Sequence, residues 1–175
     1  LQRYIDRPLL YRSRKFHLRA YVLAVSSIKV YFWNEVLLLC AQEEYLPEDL
    51  SRRESHLTNT AVQAERGESF REEDCVRLFN DDLPAELLRQ GRAQSSEEAQ
   101  EMMSTILREM QRVTGELFAA FKGEWSTFQP LPRCFEHFGL DFMLDADLRL
   151  SFLEANPCPD FKQTGKRLGQ VVSRM

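Results

Sequence analysis

Two carboxylates and an amide near the end of the chain are spaced to share one small cation. Asp141-Phe142-Met143-Leu144-Asp145 runs into Ala146-Asp147, Leu148 to Leu153 returns, and Glu154-Ala155-Asn156-Pro157 follows. Apolar runs either side of an Asp-Ala-Asp turn predict a β-hairpin. With Ala146 and Asp147 as a two-residue loop, Asp145 faces Leu148 and Asp141 faces Phe152. Glu154 then shares a sheet face with Asp141 on the diagonal, at roughly 7–8 Å, within side-chain reach. Asn156 has the same parity. The expectation is a site where Asp141, Glu154 and Asn156 converge. Hard oxygen ligands of this kind suit Mg²⁺, which keeps waters and bridges substrate phosphates. The competing reading is that acidic residues at hairpin ends are simply solvated. Against it, Glu154 directly follows Phe152-Leu153, where an unpaired carboxylate is costly. Pro157 and Pro159 also stop the strand where the ligands end.

A second set of residues is basic. Lys15 to Ser26 has strong β character, with Phe16, Tyr21, Val22, Leu23 and Val25. Alternation puts Lys15, His17 and Arg19 on one face and Phe16, Leu18 and Ala20 on the other. Surface Lys and Arg are ordinarily only solvated, but here they flank a histidine on a strand whose other face is apolar. A bidentate Arg and a point-charge Lys are suited to phosphate oxygens. Taken together, the two sets read as a Mg-nucleotide site, with acids on the metal and bases on the phosphate.

The elements that must carry these groups follow from the rest of the pattern. Lys29 to Trp33 and Val36 to Ala41 read as a second hairpin around Asn34-Glu35, and Glu43 to Arg53 as a charged loop. His56-Leu57-Thr58-Asn59 leads into a polar, helical or irregular stretch reaching about Gln94. Its Glu- and Arg-rich segments between Glu65 and Gln100 are expected to be solvated surface carrying no site. Ser95 to Gly123 is the clearest helix. Ser95 and Glu98 form a capping box, and Met103, Ile106, Leu107, Met110, Val113, Leu117 and Phe121 make a core stripe. Gly123 is the expected stop. Strands, a helical insert and a terminal hairpin give an α+β layer: an antiparallel sheet backed by helices, including a long one near 96–122.

Composition narrows the class further. The chain has 175 residues, 43% apolar and 29% charged, which suits a single domain with a real core. A net charge of −4 argues against a general nucleic-acid surface, so no direct nucleic-acid binding is expected. No apolar run approaches the ~20 residues of a membrane span, and no signal peptide is visible. Cys40, Cys75, Cys134 and Cys158 are scattered, and with three histidines no zinc pattern forms. Reduced thiols in the cytoplasm are the simplest reading. There is no GxGxxG or Walker loop to support a Rossmann or P-loop fold. The chain opens at Leu1 in a strand-like segment, which reads as part of a longer protein.

Several segments, taken in combination, resemble the tubulin–tyrosine ligase-like family of ATP-grasp enzymes. They are Gln2-Arg3-Tyr4-Ile5, Pro8-Leu9-Leu10, Arg14-Lys15-Phe16-His17-Leu18-Arg19, Tyr21-Val22-Leu23, His56-Leu57-Thr58-Asn59, Phe138-Gly139-Leu140-Asp141-Phe142-Met143 and Leu153-Glu154-Ala155-Asn156. The resemblance spans Leu1 to about Phe161. It implies that residues 1–175 are one domain, the C-terminal part of an ATP-grasp unit whose N-terminal part would precede Leu1. It implies ATP and Mg²⁺ as cofactors. The implied activity is a carboxylate–amine ligase that adds an amino acid to a protein or peptide acceptor through an acyl phosphate. Gln2, Tyr4 and Ile5 then resemble the hinge meeting adenine, with Leu153 beneath the ring. Lys15 and His17 resemble the ribose and substrate edge. Arg19 resembles the catalytic group that steadies the transferred phosphate. His56, Leu57, Thr58 and Asn59 resemble a loop contacting phosphate and ribose. Asp141, Glu154 and Asn156 resemble the Mg²⁺ ligands.

Two positions depart from the tubulin-tyrosinating pattern. His17 stands where those members carry Asp, and Leu39 where they carry Arg. A cation near a developing phosphoryl charge is worth several kcal/mol (~3–4), so Leu39 points to lost or altered ligation. The other reading makes Leu39 simply core, with Arg12 or Arg14 substituting in space. A second function follows from the departures: a nucleotide-binding ATP-grasp scaffold with weak or no ligation that docks proteins. Some fungal members of the family are associated with mRNA-decapping assemblies, and the resemblance extends to that branch.

Overall fold

The computed structural model describes residues 2–59, 72–124, 131–159, 161 and 166–175. Its organising element is β2 (Arg14–Val25), twelve residues of mostly β-branched, aromatic and aliphatic character. Every strand pairing is antiparallel. β2 pairs with β1 (Leu10–Tyr11), β3 (Lys29–Phe32), β4 (Leu37–Cys40) and β6 (Phe135–Leu144). The sheet runs β5 (Val76–Leu78), β4, β2, β6, β7 (Leu150–Pro157), with β1 and β3 also on β2.

The period-2 pattern of β2 sorts the molecule into two sides. Phe16, Leu18, Ala20, Val22 and Ala24 enter the main core. That core is closed by α3 (Phe79–Arg89) and α4 (Ser96–Phe121), through Phe79, Leu83, Leu87, Met103, Met110 and Phe118. Lys15, His17, Arg19 and Tyr21 lie on the opposite side. There Tyr21, Leu37, Leu39 and Val76 form a smaller cluster with Val171 of α5 (Lys166–Val172). The short helices α1 (Arg53–His56) and α2 (Glu72–Cys75) complete the order. Among the described residues no helix is long and apolar enough to cross a membrane.

Five expectations change. β3 and β4 do not pair as a hairpin; both lie on β2, end to end along one edge. The amide of Trp33 still donates to Tyr21 O at 2.9 Å, so Asn34-Glu35 is an excursion from one line of pairing rather than a reversal. Gln111 Nε2 of α4 donates to Asn34 Oδ1 at 3.0 Å and holds that excursion down. In α4, Ser95 Oγ accepts from Glu98 N at 3.2 Å, but the Glu98 carboxylate reaches the Gln94 amide, one residue earlier than a capping box requires. Phe118 rather than Phe121 ends the core stripe, and Phe121 is 42% exposed. Gly123 lies past the helix without a left-handed φ, so it is no αL stop.

The fifth change concerns the segment read as solvated surface. Residues 60–71 lie outside the described set, but 76–89 supply the edge strand β5 and the core helix α3. Glu86 is only 3% exposed. It accepts from the Arg12 amide at 3.1 Å, Arg89 Nε at 2.9 Å and Gln90 Nε2 at 2.6 Å. These bonds tie α3 to the β1–β2 turn, where Arg12 and Ser13 both have positive φ. Burial pushes the Glu86 carboxyl up, but the bonds from Arg89, Gln90 and Arg12 outweigh it and the net shift is downward. A depressed folded value contributes stability above the unfolded value, and the contribution is lost as pH falls through the folded one. Glu86→Gln, whose amide opposes the same donors, is expected to cost about 1–3 kcal/mol at pH 7 in urea unfolding. The difference from the parent protein should shrink below about pH 4.3, the ordinary Glu value. An equal difference at pH 7 and pH 3 would remove the assignment.

Candidate functional site

The terminal hairpin sets the acidic group. Leu144 pairs with Leu150, Asp145 N donates to Arg149 O at 3.1 Å, and Leu148 takes a positive φ of 62°. The loop is therefore three residues, Ala146 to Leu148, not two. Asp145 Oδ1 builds it by accepting from the amides of Asp147 at 2.8 Å and Arg149 at 2.9 Å. Further along, the register shifts between Asp141 and Phe142: Phe142 faces Phe152, and Asp141 faces Glu154. Each irregularity moves β7 by one residue. Their sum is two, so the face is kept, and Glu154 comes directly opposite Asp141 instead of on its diagonal. Asn156 lies opposite Gly139. Its Nδ2 donates to Glu154 Oε1 at 3.0 Å and to Asp141 Oδ2 at 3.5 Å.

The basic group comes from β2, on the same face. Arg19 pairs in register with Asp141, and its guanidinium grips that carboxylate through Nε to Oδ1 and through Nη2 to Oδ2 at 2.8 Å. Burial works against the Arg19 charge, but the Asp141 bond and charge outweigh it and the net shift is upward. Gly139 makes this lie possible. A Cβ there would meet Arg19 Cδ at 3.2 Å and Pro159 Cβ at 3.3 Å. An isolated Gly within a strand was the available signal of this close approach.

His17 is buried, and burial drives its imidazole down to about 4 against the pull of Asp141, so the ring is neutral. Nδ1 lies 2.6 Å from Thr58 Oγ1. Nε2 lies 3.6 Å from Asp141 Oδ1 and has no hydrogen-bond partner. Lys15 is buried too, which lowers its ammonium to about 8. Its Nζ donates to Tyr4 Oη at 3.0 Å and lies 4.1 Å from the centre of the Tyr4 ring. Tyr4 Oη also contacts His56 Nδ1 at 2.8 Å. Tyr45 stands edge-on to His56 with ring centres 5.4 Å apart and fixes Asp6 through its hydroxyl. Nothing in its charged loop marked Tyr45 beforehand.

The site residues thus gather along β2, His56 and Tyr4 at Lys15, and Thr58 at His17, whose ring lies beside the bonded group of Arg19, Asp141, Asn156 and Glu154. Gln2, Tyr4, Ile5 and Leu153 belong to a second set. They line a cleft of about 540 Å³ between residues 2–7 and the terminal hairpin. Gln2 Nε2 donates to Leu153 O at 3.3 Å across it. Leu57 and Asn59 are at the surface after α1. The two carboxylates face each other, and the Asn156 amide reaches both through its Nδ2. Among the described residues no group of three or more His, Cys, Asp or Glu side chains is placed to hold a metal ion.

Leu39 lies directly opposite His17 in the β2–β4 register, yet it is 3% exposed and packs with Tyr21, Leu37, Val76 and Val171. It is core. Neither proposed substitute replaces a cation there. Arg14 donates to the carbonyls of Ala41 and Asp74, and Arg12 lies over the Tyr11 ring.

All 175 residues match the tubulin-tyrosine ligase family. The chain belongs to that family. It is 36% identical over 178 residues to a probable tubulin–tyrosine ligase of Schizosaccharomyces pombe, covering all of this chain and 39% of that protein. It is 33% identical over 187 residues to a probable tubulin–tyrosine ligase of Saccharomyces cerevisiae, again over the whole chain, and 23% of that protein. A tubulin polyglutamylase of Xenopus tropicalis is 27% identical over 172 residues, 92% of this chain and 19% of the relative. The chain therefore spans about two fifths or less of the length of these relatives.

The Arg19–Asp141 pair is the most tightly bound in the site. Asp141→Ala and Arg19→Ala are each expected to cost about 3–5 kcal/mol, because each leaves a buried charge unpaired. The double variant should cost less than the sum by at least ~1.5 kcal/mol in a double-mutant cycle. Additive losses would show that the two side chains do not act as a pair.

Proposed function

We propose that this chain is the C-terminal part of an ATP-grasp unit that catalyses ATP- and Mg²⁺-dependent joining of an amino acid to a carboxylate of a protein or peptide. The observation that carries the reading is the juxtaposition on one sheet face of Asp141, Glu154 and Asn156 with Lys15 and Arg19. Membership in a family of protein-modifying ligases supports the substrate class. The acceptor carboxylate takes the terminal phosphoryl group of ATP with ADP leaving, and the incoming amine then displaces phosphate from the acyl carbon.

In this reading Asp141, Glu154 and Asn156 would hold Mg²⁺, which would supply charge neutralisation for the phosphate. Arg19 gives two of its five donors to Asp141 and also engages the Tyr21 hydroxyl, and the donors left over would meet the acyl-phosphate oxygens. Asp141 fixes its plane in advance, so little reorganisation is needed as charge develops. Lys15 adds a point charge, steered by the Tyr4 ring. Gln2, Tyr4, Ile5 and Leu153 form an adenine cleft, and His56, Leu57, Thr58 and Asn59 the loop beside ribose and phosphate. A cytoplasmic location belongs to the same proposal, supported by four cysteines that form no disulfide among the described residues.

One observation favours a second reading. Leu39 is sealed in an apolar cluster and His17 is neutral, so this edge brings no charge to a phosphoryl group. A nucleotide-binding scaffold that docks other proteins, as in mRNA-decapping assemblies, would keep the nucleotide contacts without turnover. ATP-dependent incorporation of labelled amino acids into lysate proteins by the full-length protein separates the two. Incorporation supports the ligase, and nucleotide binding without incorporation supports the scaffold.

Two further outcomes test the site. Glu154→Gln keeps the shape and removes a charge, so Mg²⁺-dependent nucleotide affinity should fall at least about tenfold, or ~1.4 kcal/mol, by titration calorimetry. Equal affinity would strike Glu154 from the metal set. Because Lys15 titrates near 8, its charge is lost as pH rises past that value. Nucleotide affinity should therefore weaken between about pH 7 and pH 9.5, and Lys15→Arg, which stays charged, should flatten the dependence.

A further inference from the structure

His17 has two ring nitrogens in unlike surroundings. Nδ1 is 2.6 Å from the Thr58 hydroxyl. Nε2 is buried without a partner and points at the Asp141 carboxylate, 3.6 Å from Oδ1. A neutral imidazole carries one proton, and the hydrogen bond at one nitrogen decides what the other does. A hydroxyl can donate or accept, so the Thr58 contact alone permits either tautomer. The carboxylate does not. With the proton on Nδ1, the Nε2 lone pair would face a carboxylate oxygen, and a buried acceptor would confront a buried acceptor. With the proton on Nε2, a positive N–H edge faces the carboxylate, and Thr58 donates to Nδ1. Arg19 and Asn156 donate to the same carboxylate. At 3.6 Å the Nε2–H bond to Asp141 is not closed, so this donor has capacity for another oxygen.

We propose that Thr58 is a positioning residue that holds His17 in the Nε2–H tautomer, so that β2 presents a hydrogen-bond donor to an anionic oxygen of the ligand beside Asp141. This deepens the nucleotide reading above and rests on it for the ligand, a phosphoryl or carboxylate oxygen. A carboxylate at position 17 would accept a bond from a hydroxyl and repel such an oxygen. The Nε2–H of the imidazole gives the opposite preference. Leu39, directly across the strand pair, gives the ring an apolar neighbour and no competing polar group.

The test labels the histidines of the full-length protein with ¹⁵N and reads the protonated nitrogen of His17 by long-range proton–nitrogen NMR correlation. His17→Gln assigns the signal. The expected result is a proton on Nε2 in the parent protein. Thr58→Ser, which keeps the hydroxyl, should retain it. Thr58→Val, which keeps the shape, should give a mixture or the Nδ1–H form. MgATP affinity, titrated on the same samples, should fall about three- to tenfold in Thr58→Val, as for one lost hydrogen bond, and be recovered in Thr58→Ser. A proton on Nδ1 in the parent protein overturns the proposal with no variant needed. An unchanged tautomer in Thr58→Val overturns it as well, with Thr58→Ala as the second hydroxyl-free form if the valine variant does not fold. If the tautomer responds as expected but the parent protein does not bind MgATP, the positioning role stands and the nucleotide reading beneath it falls.

Discussion

The buried pair between Arg19 and Asp141 constrains everything around it. Neither charge is tolerable alone on a sheet face this covered, and together they are tolerable only in good geometry. That geometry requires β2 and β6 to be neighbours in one register, with the two residues facing each other. It also requires a residue without a side chain at Gly139, because the Arg19 stem crosses there. Once Asp141 is fixed, β7 decides what stands beside it, and the register brings Glu154 and Asn156. A structural demand and a chemical arrangement thus coincide in the same few side chains.

The two sides of β2 divide the labour. One side is continuous with the main core and anchors the sheet on α3 and α4. The other is graded along the strand: polar at Lys15, His17 and Arg19, and apolar from Tyr21 onward, where α5 and Phe161 cover it. The site therefore sits at a boundary between covered and open sheet. Burial there is deep enough to neutralise His17 and weaken the Lys15 charge, while Glu154 remains in contact with solvent.

Much of this was legible from residue type and parity. The alternation of β2 and the apolar stripe of α4 are periodic over many residues, and such patterns survive small local errors. The face shared by Asp141, Glu154 and Asn156 was legible for the same reason, though its register was not, since loop length and bulges are decided by a few backbone torsions. The Leu148 φ of 62° is one, and nothing about a leucine announces it. Asn34-Glu35 has turn composition, but whether a turn reverses the chain or merely interrupts a strand depends on the side chains of α3 and α4 that meet it. Glu86 and the 76–89 segment were obscured by charge density: a carboxylate reads as surface unless its donors, here from three different places, are known. Leu39 was left between lost ligation and core, and Phe161, Val171 and Val172, more than a hundred residues away, help to make it core.

The hairpin that carries Glu154 has a parity of its own. One extra residue in the loop and one in the bulge cancel, and either alone would turn Glu154 and Asn156 toward the helices and bring Leu153 up to Asp141. Chain length in this hairpin is thus free to vary only in compensated pairs. Natural variants of this segment would be expected to lose or gain residues at the tip and at the Leu153 bulge together, whatever else in the surrounding sequence drifts.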